Sequence, residues 1–200
     1  MRKLFLLKTS LSFILFMVFG FSTACNQPKQ SNTPPPVLTP VFDDAEYEQI
    51  LQLHEKLMSS FSPNWQEREA DPELYPEYYG GVFIRDEDGK FVILVIGNAE
   101  QHKQELAKIL ETDDFDIETV QYSYRQMFEV INKIEDFMTN PAIPDEHIFL
   151  QNFTGAFIDD MSNRVVVMLL STDDTIVNVF RKEISDSKVV IFGEGNLMDY

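Results

Sequence analysis

Gly81-Val82-Phe83-Ile84-Arg85-Asp86-Glu87-Asp88-Gly89-Lys90-Phe91-Val92-Ile93-Leu94-Val95-Ile96 is the key stretch, because its pattern returns 74 positions later without a gap. The second copy reads Gly155-Ala156-Phe157-Ile158-Asp159-Asp160-Met161-Ser162-Asn163-Arg164-Val165-Val166-Val167-Met168-Leu169-Leu170. Few residues are identical, but the physical roles coincide. Gly89 falls on Asn163, and these two residue types most readily take positive φ in a tight hairpin turn. Phe91 to Ile96 falls on Val165 to Leu170. Both are continuous apolar runs of strand length, which suits central strands buried on both faces.

The register continues into a helix. Asn98 and Thr172 are placed to cap it, and His102, Leu106 and Leu110 align with Ile176, Phe180 and Ile184. A third strand closes each copy, near Ile117 to Tyr122 and near Val189 to Phe192. Each unit therefore reads as antiparallel hairpin, helix, strand. Between the units, Ser123 and Gln126 form a capping box for a helix with Tyr124, Met127, Phe128, Ile131, Ile134 and Met138 on one stripe. Pro141 and Pro144 end it. Upstream, Asp43 or Asp44 caps a helix with Tyr47, Ile50, Leu51, His54, Leu57, Met58 and Phe61 at helical spacing, and Ser62-Pro63 stops it. The fold class is α+β: two tandem ββαβ units, about 79–122 and 153–193, with a linking helix at about 124–139 and an N-terminal helix. A lone ββαβ unit has little apolar face, so the two are expected to share or abut their sheets.

The N-terminus reads as an address. Arg2, Lys3 and Lys8 precede the apolar run Leu11 to Phe19, which is shorter than the ~20 residues a membrane span needs. Small residues Ser22-Thr23-Ala24 then lead to Cys25, the single cysteine of the 200 residues. Residues 1–24 are read as a signal peptide. Ser22 and Ala24 also satisfy the small-x-small rule of ordinary cleavage. Ser22-Thr23-Ala24-Cys25 resembles a bacterial lipobox, with Ser22 where leucine is usual. Lipidation of Cys25, with palmitate among its acyl chains, is the preferred expectation, since a lone exposed thiol serves a secreted protein little. Residues 25–40, with Pro28, Pro34, Pro35, Pro36 and Pro40, form a tether, and residues 41–200 the globular part. The expected location is the cell envelope, on the extracytoplasmic side of a bacterial membrane.

Composition excludes several classes. The chain is 44% hydrophobic, too apolar for a disordered protein. One cysteine rules out an intramolecular disulfide framework and a multi-thiolate zinc site. The net charge is −17, and the signal carries three of the cations and no acid, which leaves −20 on the remainder. Such a surface repels nucleic acid and anionic headgroups alike, so the expected membrane contact is the lipid on Cys25. No cofactor is expected, because nucleophile elbow, phosphate loop and dinucleotide fingerprint are all missing. His54-Glu55 lacks a second histidine four residues on, and His102 occupies an apolar helix slot. Asp86-Glu87-Asp88-Gly89 lacks the remaining ligands of a calcium loop and suits a hairpin turn. Neither a metal site nor a catalytic residue is assigned, and the chain is expected not to be an enzyme.

Trp65, Tyr75, Tyr78 and Tyr79 lie in a stretch, Asn64 to Tyr79, that reads as irregular. They are the candidate ligand-binding residues, weighed against ordinary packing over the sheet.

The hairpin pattern Gly-x-Phe-Ile-Asp/Arg-Asp with Asn163-Arg164-Val165-Val166-Val167, together with Val120-Gln121-Tyr122-Ser123-Tyr124-Arg125-Gln126-Met127, resembles a known family. It is the pro-domain of α-lytic protease and other streptogrisin-type secreted serine proteases. The resemblance spans roughly Tyr79 to Gly193. It implies an α/β domain that assists folding of an attached protease and then inhibits it. An attached protease is not expected beyond Tyr200, so the expectation is a scaffold that binds in trans, with no functional residue carried over. The resulting reading is a lipid-anchored, non-catalytic protein- or peptide-binding module. Its alternatives are a structural component of an envelope assembly, or a lipoprotein that captures small molecules or glycans. Sheet augmentation is expected at the first strand of a unit, Val82 to Arg85 or Ala156 to Asp159.

Overall fold

The computed structural model describes residues 44–195. The signal, Cys25, the tether and Asp43 lie outside the described residues. Helix α1 (Asp44–Phe61) is followed by α2 (Trp65–Ala70), a 3-10 turn (Pro72–Leu74), β1 (Tyr79–Ile84), β2 (Phe91–Val95), α3 (Ala99–Leu110) and β3 (Asp116–Thr119). Then come α4 (Tyr124–Thr139), α5 (Ile148–Asn152), β4 (Phe153–Asp159), β5 (Arg164–Leu169), α6 (Asp174–Glu183) and β6 (Val190–Glu194). The strands form two separate sheets, β1-β2-β3 and β4-β5-β6. In each, an antiparallel hairpin is extended by a parallel third strand reached through a helix. The expected α+β fold with two ββαβ units is what the chain adopts.

The 74-residue shift holds in detail. Tyr79 pairs with Val95 and Phe153 with Leu169, and both hairpins carry an irregularity at the same place, before Gly81 and before Gly155. Gly89 and Asn163 both adopt positive φ, 69° and 52°. All five residues of β2 are buried, and so are Val165 to Leu169 of β5. Leu106 and Phe180, equivalent under the shift, are both fully buried. Each such side chain contributes about 1.5–3 kcal/mol of transfer free energy.

Three expectations need correction. The stretch from Asn64 to Tyr79 is not irregular throughout, because Asn64 accepts from the Gln66 N–H to start α2 and Asp71 accepts from the Glu73 N–H to start the 3-10 turn. Local side-chain caps outweigh Pro72 and Pro76 there. Thr172 is not the cap of α6. That position is Asp173, and Thr172 instead donates its hydroxyl to Glu194. The third strand of the first unit stops at Thr119, short of Tyr122, because the Tyr122 N–H donates to the Asn163 side chain.

The sheets abut through α4, which begins at the predicted capping box of Ser123 and Gln126. Phe128 packs into one core with Leu57, Tyr75, Ile93 and Leu106. Met127, Val130 and Ile134 pack into the other with Phe149, Val167 and Phe180. Each unit is thus a helix laid on ββαβ, α1 in the first and α4 in the second. The linking helix is part of both cores.

Candidate functional site

The four candidate aromatics do not form one surface. Tyr75 and Tyr79 are each 2% exposed and belong to the first core. Tyr75 lies 4.6 Å from the Tyr124 ring and Tyr79 4.9 Å from Phe61, which joins α1, β1 and α4. Tyr78 is half-buried and stacks on His102 at 4.4 Å. The other side of that imidazole is held by its Nε2, 3.2 Å from the Ile96 carbonyl oxygen. Trp65, at the start of α2, is 57% exposed and stands apart. Burial of Tyr75 and Tyr79 is the ordinary consequence of large rings beside a small sheet, and it leaves no aromatic cup.

A polar cluster appears instead where the units meet. The second hairpin turn, Asp160 to Asn163, presses on the first strand of the other unit. Asn163 is 3% exposed. Its Oδ1 accepts from the Tyr122 N–H at 2.9 Å, and its Nδ2 donates to the Tyr122 carbonyl at 2.9 Å and to that of Gly80 at 3.2 Å. The amide thereby stands in for a strand partner beyond the end of β3. Beside it, Asp160 sits against Gly81, where any Cβ would collide with the carboxyl. The φ of Gly81 is 126°, a second reason for glycine there. Asp160 Oδ1 is buried and has no hydrogen-bond partner among the described residues. Burial, reinforced by the charge of Asp159, pushes Asp160 up to about 8. Its charge, after burial itself, in turn helps to hold the Tyr79 hydroxyl well above its usual range. This cluster was missed in the sequence, where Asp86 at the equivalent position is exposed and unremarkable.

The sheet edges are unequal. The first strands turn towards the junction: Tyr79, Gly80 and Gly81 are buried, β1 and β4 both touch α4, and Ile158 packs against both cores. The third strands lie at the far edges. β3 is four residues long and carries Asp116 and Glu118, both ion-paired to Arg85. Short charged edges of this kind discourage pairing. β6 is longer and reads Val190-Ile191-Phe192-Gly193-Glu194. The Val165 N–H donates to Val189 and the Gly195 N–H to Leu169, so odd-numbered residues face β5. By alternation, the backbone groups of Phe192 and Glu194 point outward, and they meet no hydrogen-bond partner among the described residues. Ile191 is 42% exposed. Among the described residues, β6 presents an open edge.

The division at α4 agrees with what the chain resembles. Residues 40–120 match the model of a Pro-like N-terminal domain, and residues 125–195 match that of a Pro-like C-terminal domain. Both matches are to Pro-like domains. The boundary falls between β3 and α4, so the second Pro-like half takes α4 with it, in line with the helix-plus-ββαβ units. No curated protein matches the chain. The pro-domain-like character expected from the hairpin pattern is supported at this level.

Proposed function

We propose that the chain is a non-catalytic recognition module, anchored through a lipid on Cys25 to the extracytoplasmic face of a bacterial membrane, that binds a protein segment by strand addition. The observation that supports binding is the open edge of β6 on a Pro-like scaffold. Outward N–H and C=O groups of Phe192 and Glu194 supply backbone pairing, and side chains on alternate faces supply selectivity. The first strands expected from the sequence, β1 and β4, are edges as well, but they pack against the cores at the junction, so β6 is the edge proposed here. The partner class to test first is a streptogrisin-type serine protease, which the resemblance names.

Two experiments test the parts separately. Replacing Cys25→Ser should release the protein from the membrane fraction and abolish its labelling by palmitate. Membrane association unchanged in that variant sinks the anchor. The mature domain added in trans should inhibit an α-lytic-type protease on a small peptide substrate. A domain shown folded by circular dichroism that leaves the protease fully active, even in large excess, removes the protease link.

A further inference from the structure

In a chain of net charge −17, seven of the twelve lysines and arginines among the described residues are engaged by a carboxylate or a main-chain carbonyl. Lys56 pairs with Glu111, Arg85 with Asp88, Asp116 and Glu118, Lys90 with Asp114, and Arg125 with Glu73. Arg68, Lys103 and Arg164 donate to main-chain carbonyls. Five make neither contact among the described residues, Lys108, Lys133, Arg181, Lys182 and Lys188, and of these Arg181, Lys182 and Lys188 cluster. All three are exposed, and none forms an ion pair or hydrogen bond among the described residues. They fall within eight residues, from the end of α6 to the loop before β6.

Arg181 and Lys188 line one groove, whose apolar wall is Val190 and Phe192 of the open strand. The Arg181 guanidinium lies 5.8 Å from the centroid of the Phe192 ring, within reach of a cation–π contact. The loop is shaped by its own serines: Ser185 accepts from the Ser187 N–H, and Ser187 from that of Val189. One carboxylate, Asp186, also borders the groove without pairing to either cation. On the opposite face of β6, Ile191 is exposed beside Gly193, which carries no side chain.

We propose that this groove takes an extended acidic segment whose carboxylates alternate with apolar side chains. The inference rests on the reading of the chain as a strand-binding module. A strand added to β6 sends successive side chains to opposite faces, with i and i+2 about 6.6 Å apart on the same face. On the groove face they meet Arg181 and Lys188, so Asp or Glu is favoured there. On the other face they meet Ile191 and the Met168 side chain that lies over Gly193, so an apolar side chain is favoured. An anionic membrane is disfavoured as occupant, because the remainder of the domain is strongly acidic and is repelled by it.

The test uses the mature domain with Cys25 replaced and labelled peptides of two orders. One alternates glutamate with valine, and the other has the same composition with the glutamates in a block. The alternating peptide should bind, and the block peptide at least about fivefold more weakly, which corresponds to roughly 1 kcal/mol. Arg181→Glu with Lys188→Glu should abolish binding of the acidic peptide and create binding of its lysine-for-glutamate counterpart. Both residues are exposed, so circular dichroism should remain unchanged. Methylating alternate backbone nitrogens of the peptide should remove binding if pairing to β6 is real. Equal affinity for alternating and block peptides overturns the inference. So does a preference for neutral alternating peptides, although that outcome leaves the strand-addition reading standing. Flotation with phosphatidylglycerol vesicles that depends on Arg181 and Lys188 overturns it in favour of a membrane contact. Loss of inhibition in the protease assay bears on the parent reading alone.

Discussion

Asp160 places a carboxyl where the two units press together, with Gly81 beneath it and Tyr79 beside it. In the unfolded chain it ionises near the ordinary 3.8, whereas in the native protein burial and Asp159 raise it to about 8. Between those values the native state holds a proton that the unfolded state has lost. Stability attributable to this group is therefore whole below the lower value, falls as pH rises through the window and levels off above the upper one. Asp160→Asn should remove that slope, which urea denaturation at pH values from about 4 to about 9 would reveal. An unchanged slope would mean that another group carries it. Asn163 is the companion case. Asn163→Ala strands the Tyr122 and Gly80 backbone groups and forces alanine into positive φ, so a loss of about 2–4 kcal/mol is expected in the same denaturation. Asn163→Gly should recover the turn but not the hydrogen bonds, and fall between.

Among the elements, α4 was the most legible. Ser123 and Gln126 bond reciprocally to each other's backbone, and the apolar stripe then divides between two cores. Ser123→Ala should cost about 1 kcal/mol, measured as a drop in urea midpoint at constant slope. The hairpins were equally legible, because strand length, turn residues and burial on both faces are all local signals. Residues 64–79 were misjudged, since Pro72 and Pro76 advertise a loop while the caps Asn64 and Asp71 build two short helical turns between them. The choice among the sheet edges was not legible for a different reason. First and last strands of a three-stranded sheet are both edges, and their own residues do not say which one a neighbouring unit will cover.

At the scale of the whole molecule, α4 is the coupling element. Phe128 reaches the first core, Met127, Val130 and Ile134 the second, and Tyr124 and Ile131 touch both. The described residues should therefore unfold as one cooperative unit despite having two sheets. Phe128→Ala leaves a cavity in the first core and should cost about 3–5 kcal/mol. Native-state amide exchange should show protection falling together in β2 and β5. Protection lost in β2 alone would show that the halves behave as independent domains.

Local patterns in the chain encode the two ββαβ units, their 74-residue register, the turns at Gly89 and Asn163 and the capping box of α4. Those features depend on φ preference, alternation and helical period, which act between residues a few positions apart. Long-range packing keeps the sheets separate, makes Tyr75 and Tyr79 core, and brings Asp160 and Asn163 to the seam. It alone left β6 open beside Arg181 and Lys188. These outcomes depend on how one unit lies against the other. Asn163 and Gly80 are 83 positions apart, and no local pattern encodes so distant a contact.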